Sequence, residues 1–258
     1  MGIDYSAVTE VPGNKVSREQ LERMYHRYHF ASQYCGDKDV LEIACGAGQG
    51  LGYLSEFAKR LVGGDVDKNI LKLAQQHYHG RDNIELKLLD AHKLLFGDES
   101  FDVVICYEAI YYFTRPEEFI KEAYRVLKKK GLFVICTVNK GWLDFNPSPH
   151  SKKYFSAIEL YQLLNRDFTG IDIYGAFGVS YNSAKTKFIS LLKRAAVSLN
   201  LMPKTMKGKE FFKRIFFGRL QVLPSELKKG MAEYLSPTLL TKEFPAKDYK
   251  VIYAVAKK

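Results

Sequence analysis

Cysteine is scarce in this sequence, tryptophan occurs once, and long apolar runs are missing. The four cysteines, Cys35, Cys45, Cys106 and Cys136, stand far apart with no Cys-x-x-Cys pair. That spacing argues against both a disulfide framework and a zinc site, and no metal is expected. No uninterrupted apolar stretch approaches the roughly 20 residues of a membrane-spanning helix. The amino end, Met-Gly-Ile-Asp-Tyr-Ser, has neither the basic region nor the hydrophobic region of a secretory signal. These absences lead to the expectation of a soluble, cytoplasmic protein in a reducing compartment.

What is present is a globular composition, 47% hydrophobic and 26% charged over 258 residues. That suits one large α/β domain or a domain with an insertion, and it excludes wholesale disorder. The formal net charge is +10, and it is not spread evenly. Between Ala184 and Gly230 twelve Lys and Arg residues face only Glu210 and Glu226, so the whole excess falls there. The rest of the chain is neutral.

Short apolar, β-branched runs alternate with helical patterns, the signature of strand–helix–strand units and a mostly parallel, doubly wound sheet. Seven strands are predicted: Asp39–Ala44, Arg60–Asp65, Ile84–Leu89, Phe101–Tyr107, Leu132–Val138, Gly170–Tyr174 and Tyr249–Ala256. Between them helices are predicted at Gly50–Lys59, Lys68–Tyr78, Pro116–Leu127 and Ser156–Asn165. The third begins Pro-Glu-Glu and runs out into Lys128–Lys130 and Gly131, as the helix dipole and the proline-first, glycine-last asymmetry favour. Ahead of the first strand, Ser17–Tyr34 opens with a Ser-Arg-Glu-Gln capping box and carries the cluster Tyr25, His26, Arg27, Tyr28 and His29.

The strongest chemical signal follows the first strand: Val-Leu-Glu42-Ile-Ala44-Cys-Gly46-Ala-Gly48-Gln-Gly50. Glycines there let the chain turn tightly and bring backbone N–H groups to a ligand at the next helix's N-terminus. The spacing is G-x-G-x-G, so the dinucleotide pattern G-x-G-x-x-G fails at Leu51. The loop resembles motif I of the class I S-adenosylmethionine-dependent methyltransferases. The resemblance implies a Rossmann-like fold, S-adenosylmethionine as cofactor and S-adenosylhomocysteine as product. It also implies that Glu42, Ala44, Gly46 and Gly48 line the cofactor's amino-acid half.

Three later strand ends carry the resemblance further. Gly63-Gly-Asp65-Val66-Asp67 is similar to the family's ribose-binding motif, which gives Asp65 the ribose hydroxyls and Val66 the adenine face. An acidic group at that place in a doubly wound sheet suits two hydroxyl donors. Asp67 reads equally well as a helix N-cap. Leu89-Asp90-Ala91-His92 resembles the adenine-reading position, and Phe101–Glu108 the strand before the substrate pocket, with Tyr107 along the methionine arm. The expected lining is acidic and aromatic, with no Lys or Arg, as a sulfonium cation favours.

Candidate proton acceptors near the pocket are Glu108, Tyr111, Tyr112, His92 and His150, with His26 and His29 on the N-terminal helix; His150, Glu108 and Tyr111 head the set. Against them, His92 also fits a solvent-facing loop residue and Tyr111 a core aromatic. Ser151–Leu164 resembles the ubiquinone/menaquinone-type small-molecule methyltransferases, in which an N-terminal helix commonly acts as a lid. Tyr25, Tyr28 and His29 are the lid candidates, and Tyr28 is counted with the cofactor-binding residues.

The expected organisation is a single methyltransferase domain over 1–258. It has a lid over 15–35, a cofactor-binding core over 39–179 and 246–258, and a basic helical insertion over 180–245. Within the insertion, Lys187–Leu201 and Glu210–Leu220 carry Phe and Leu at helical spacing among basic residues. Three readings stand open: a cap over a small hydrophobic, lipid-linked or glycosylated substrate with peripheral membrane contact through 184–230, a structural insertion, and a nucleic-acid-binding patch. Nucleic acid is the least favoured partner, because helical Phe spacing points to burial. The expected reaction is methyl transfer to an O or N atom. The rivals are an RNA or DNA methyltransferase and a noncatalytic cofactor-binding homologue.

Overall fold

The computed structural model describes residues 9–179, 220–241 and 246–258. A small antiparallel pair joins β1 (Lys15–Val16) to β8 (Gln221–Val222). The main sheet holds β2 (Asp39–Ile43), β3 (Arg60–Asp65), β4 (Ile84–Leu88), β5 (Phe101–Tyr107), β6 (Leu127–Val138), β7 (Thr169–Gly178), β9 (Thr238–Leu240) and β10 (Tyr249–Lys257). Their order is β4-β3-β2-β5-β6-β10-β7-β9. The five strands from β4 to β6 are parallel, whereas β10 runs antiparallel to both β6 and β7, and β9 antiparallel to β7.

Successive side chains on the central strands feed two separate cores. On β5, Val103, Ile105 and Tyr107 enter one core while Phe101, Val104 and Cys106 enter the other. The first core is closed by α1 (Arg18–Ser32), α2 (Leu51–Ser55) and α3 (Lys68–His77). The second is closed by α4 (Pro116–Val126) and α5 (Ala157–Leu164). Strands buried on both faces need apolar residues at every position, which is why the sequence shows runs rather than alternation.

Local capping fixes where the helices begin. Ser17 Oγ accepts the Gln20 N–H at 3.2 Å while Gln20 Oε1 accepts the Ser17 N–H at 3.0 Å, so both halves of the capping box at α1 are made. Asp67 Oδ1 accepts from Asn69 and Ile70 and caps α3. Helix α2 stops four residues short of the predicted end. Ser55 Oγ bonds the Gly52 carbonyl and Asn83 takes the Ser55 carbonyl, so the chain's last-turn acceptors are diverted.

Three expectations need correction. The run Lys128–Gly131 is not a helix terminus but the start of β6, since Lys128 Nζ bridges Asp39 at 2.7 Å and Asp102 at 2.8 Å beneath the sheet. The expected sheet gains an eighth strand, β9, from inside the insertion. Three residues on an edge are too short to leave a periodic signal. The described stretch 220–241 contains no helix and consists of bends, turns and the short strands β8 and β9. It is tied down by Glu226 to His77 and Arg81, and by the Leu227 N–H to the Gln49 carbonyl at 2.8 Å. The predicted helices Lys187–Leu201 and Glu210–Leu220 lie outside the described residues, except for Leu220, which is not helical.

Candidate active site

From β2 the chain moves outward through β3 and β4, then returns to the other side of β2 for β5 and β6. Open α/β sheets hold ligands in the crevice above such a reversal, at the carboxyl ends of the strands. A cavity of about 620 Å³ lies there.

The glycine loop forms its floor. Ala44, Gly46 and Gly48 all have left-handed backbones, at φ of 59°, 57° and 81°. A Cβ on Gly48 would also come within 2.8 Å of the Ala74 side chain. A Cβ on Gly50 would come within 2.0 Å of the Tyr28 ring, so α1 can seat on the loop only because residue 50 has no side chain. Tyr28 then donates its hydroxyl to Glu42 Oε1 at 2.6 Å. Asp65, at the end of β3, organises the same loop by accepting the Gly46 N–H on Oδ2 at 2.8 Å and the Asp67 N–H on Oδ1 at 2.9 Å. Burial pushes its carboxyl up, and those two backbone donors oppose the shift. Past β4, Asp90 Oδ1 accepts the His92 N–H and lies 2.8 Å from His92 Nδ1; the backbone N–H foremost holds its carboxyl below the usual range.

Of the residues singled out for the cofactor, Tyr28, Ala44, Gly46, Asp65, Val66, Asp90, Ala91 and Tyr107 line the cavity. Glu42 and Gly48 do not; Glu42 lies beneath the wall as the support of Tyr28. Glu108, Tyr111, Tyr112 and His92 are also on the wall. Glu108 has a left-handed backbone at φ 52°, and its Oε2 accepts the Tyr111 hydroxyl at 3.0 Å. Burial raises its carboxyl, while Arg27, Arg23 and the Tyr111 hydroxyl pull it down.

The other candidates lie elsewhere. His150 is exposed and off the cavity wall, in a loop whose Ser148 N–H and Ser151 hydroxyl bond the Tyr154 hydroxyl. What this region contributes instead is the Tyr154 ring, stacked on Tyr111 at 4.9 Å. His26 is held between the Tyr253 hydroxyl and the Leu235 carbonyl, His29 contacts the Tyr53 hydroxyl, and the Tyr25 hydroxyl accepts from Gly230. Of the three lid candidates only Tyr28 reaches the cavity.

The expectation of a wall without Lys or Arg is overturned. Arg23 and Arg27 both line the cavity, together with Glu10, Gln20 and Gln49. Their spacing along α1, positions 20, 23 and 27, places them on one helix face. An arginine pair at i, i+4 on the helix ahead of the glycine loop is legible in the sequence as a candidate cavity face.

Glu42 carries a testable consequence of its burial. Its carboxyl is pushed from the usual 4.5 up to about 7, chiefly by desolvation, with Tyr28 and Arg27 opposing and Asp65 adding to the shift. The folded chain therefore keeps the proton to a higher pH than the unfolded chain does. The stability this gives is complete below the ordinary carboxylate range and is lost as pH rises through about 7. At 1.36 kcal/mol per unit the loss is on the order of 3 kcal/mol. Glu42→Gln keeps an acceptor for Tyr28 and cannot ionise. Urea unfolding of the ligand-free protein should show the variant more stable by about 2–3 kcal/mol near pH 8, with the two proteins converging near pH 4.5. A constant gap across that range would contradict a buried acid at position 42.

Comparison with known proteins fits this geometry. Residues 41–135 match the family described as "Methyltransferase domain". A probable S-adenosylmethionine-dependent methyltransferase of Mycolicibacterium smegmatis is 26% identical over 179 residues, 67% of each chain. A ubiquinone biosynthesis O-methyltransferase of Rickettsia bellii is 26% identical over 186 residues, 66% of this chain and 74% of that one. In fold, the YcgJ protein of Bacillus subtilis superposes with a TM-score of 0.58 at 17% identity, covering 91% of this chain and 98% of that one. The family match spans both the glycine loop at the sheet's reversal point and the acidic groups at the ends of β3 and β4. The chain thus carries a methyltransferase domain over residues 41–135 and is similar, in sequence and in fold, to class I S-adenosylmethionine-dependent methyltransferases.

Proposed function

We propose that the protein methylates an oxygen or nitrogen atom of a small hydrophobic acceptor, lipid-linked or glycosylated, with Glu108 and Tyr111 at the acceptor end. The observation that carries this is one cavity lined both by the glycine loop and by the Glu108–Tyr111 pair. Its residues fit S-adenosylmethionine. Five carboxylates, Glu10, Asp65, Asp67, Asp90 and Glu108, outnumber Arg23 and Arg27 on the wall, which suits a sulfonium cation. Tyr28 and Tyr107 meet edge to face at 5.6 Å, and aromatic faces tolerate such a charge. The Tyr107 hydroxyl is buried without a partner, a polar group left for a ligand to satisfy. A volume of about 620 Å³ lies within the usual span of cofactor sites, roughly 300–1,000 Å³.

Ala44 and Gly46 hold the amino-acid half, with Tyr28 and Tyr107 beside the methionine arm. Asp65 takes the ribose hydroxyls, the half-exposed Val66 packs on adenine, and Asp90 with the Ala91 N–H reads its edge. Gly48 and Glu42 act indirectly, through the loop's turn and through Tyr28. Bound S-adenosylmethionine supplies a methyl carbon already activated by its sulfonium. The protein's work is therefore alignment and exclusion of water, which together are worth on the order of 7–11 kcal/mol. Glu108 receives the acceptor's proton, and the Tyr111 hydroxyl holds that carboxylate in place.

The activity named for the Rickettsia bellii relative supports a hydrophobic acceptor. Peripheral membrane contact through residues 184–230 belongs to the same proposal and rests on their charge in the sequence. Among the described residues no helix is long and apolar enough to cross a membrane. The test is an acceptor screen read as S-adenosylhomocysteine release, spanning hydrophobic phenols, amines, lipid-linked glycosides and RNA. Release with a hydrophobic phenol, amine or glycoside is the expected result. Release with RNA alone, or with none of them, would overturn the acceptor assignment.

A further inference from the structure

Resting on the assignment of Glu108 as base, we infer that Cys136 is a positioning residue for that carboxyl. Its thiol hydrogen holds Glu108 while it is ionised and turns to Tyr253 once Glu108 carries a proton. Two strand registers put Cys136 between these partners. On one side β6 pairs Cys136 with Tyr107 of β5, and the Cys136 carbonyl accepts the Glu108 N–H at 2.8 Å. On the other side Cys136 stands directly opposite Tyr253 of β10. Its Sγ lies 3.7 Å from Glu108 Oε1, the carboxylate oxygen that Tyr111 does not use, and also meets the Tyr253 hydroxyl.

The far end of this line is fixed by a backbone group. A carbonyl can only accept, so the Leu235 carbonyl, 2.6 Å from His26 Nε2, keeps the imidazole hydrogen on that nitrogen. Burial pushes the His26 ring towards its neutral form, which leaves Nδ1 as an acceptor. The Tyr253 hydroxyl, 2.8 Å from Nδ1, therefore spends its hydrogen on His26 and can only accept from Cys136. His26, Tyr253 and Cys136 are all buried.

The thiol thus has one hydrogen and two acceptors. While Glu108 is ionised, its charge draws that hydrogen to Oε1. When the methyl acceptor's proton passes to Glu108, the new O–H donates to Sγ and the thiol hydrogen swings to the Tyr253 oxygen. One proton has moved between molecules, and the S–H bond stays intact. Both forms of a buried carboxyl are then hydrogen-bonded without a shift of heavy atoms. The other groups facing Glu108 act through charge or a fixed contact. Burial raises the carboxyl most and Glu10 adds to this, whereas Arg27, Arg23 and the Tyr111 hydroxyl lower it. Tyr112 and Cys106 also feel its charge.

The experiment is infrared spectroscopy of the S–H stretch in the ligand-free protein across the Glu108 titration, with the Cys136 band identified by its loss in Cys136→Ala. The band should lie at lower frequency on the alkaline side, because a charged acceptor weakens the S–H bond more than a neutral one. Glu108→Gln, which leaves Cys136, Tyr253 and His26 in place, should hold the band at one frequency throughout. Tyr253→Phe takes the thiol's acceptor away only when Glu108 is neutral, so it disfavours that form. The midpoint of the band shift should then fall by roughly half a unit to one unit, the worth of one neutral hydrogen bond. A Cys136 band that ignores pH, a pH shift that survives Glu108→Gln, or a midpoint unmoved or raised in Tyr253→Phe would overturn the inference. Wild-type kcat in Glu108→Gln would instead overturn the base assignment on which it rests, whatever the band does.

Discussion

Asp65→Ala should abolish the thermal stabilisation of this protein by S-adenosylhomocysteine and weaken its affinity about 10³-fold. Two effects combine. A carboxylate accepting two ribose hydroxyls makes two charge-assisted hydrogen bonds, each worth about 1.5–3 kcal/mol, or roughly 10²–10⁴ in affinity together. The same carboxylate also accepts the Gly46 and Asp67 N–H groups, so its removal loosens the floor on which the cofactor lies. Asp65→Asn keeps one acceptor oxygen and should fall between the wild type and the alanine variant. Isothermal titration reads the affinity, and thermal melting without ligand separates loss of binding from loss of fold. An alanine variant that binds within threefold of wild type would remove Asp65 from the ribose role.

The strands β2, β3 and β5 that carry this site were readable because each is a short, mostly apolar run bounded by polar or glycine residues. β3 matches its predicted bounds, and β5 does as well, since the buried face on both sides leaves no ambiguity about where the run stops. The glycine loop was readable for a steric reason: no side chain fits at residue 50 beneath Tyr28. What escaped the reading depends on contacts remote in sequence. Lys128–Gly131 reads as a helix end until Asp39 and Asp102 are brought beneath Lys128. His150 looks like a pocket residue, yet it is Tyr154, held by Ser148 and Ser151, that packs on the cavity-lining Tyr111. β9 exists only because β7 offers it an edge. Arg23 and Arg27 were visible as an i, i+4 pair, but whether that face of α1 meets solvent or the crevice is decided by Tyr28 docking on Gly50, a three-dimensional fact.

Glu108→Gln should lower kcat by about 10²–10⁴ for an acceptor that must lose a proton, with S-adenosylhomocysteine affinity unchanged. The glutamine keeps the shape and still accepts the Tyr111 hydroxyl, which the wild-type carboxylate receives at 3.0 Å, so the loss isolates the proton transfer. The pH dependence follows from the direction of the shift. Burial raises the Glu108 carboxyl above the ordinary glutamate range, and Arg27 and Arg23 limit that rise. The base is the ionised form, so kcat in the wild type should climb as pH rises through this raised value and then level off. The variant's residual rate should show no such limb. Arg23→Gln removes one of the two cations that pull the carboxyl down, so it should move the limb to higher pH. A Glu108→Gln variant with wild-type kcat on a hydroxyl acceptor, or one whose residual rate keeps the wild-type limb, would remove Glu108 from the reaction.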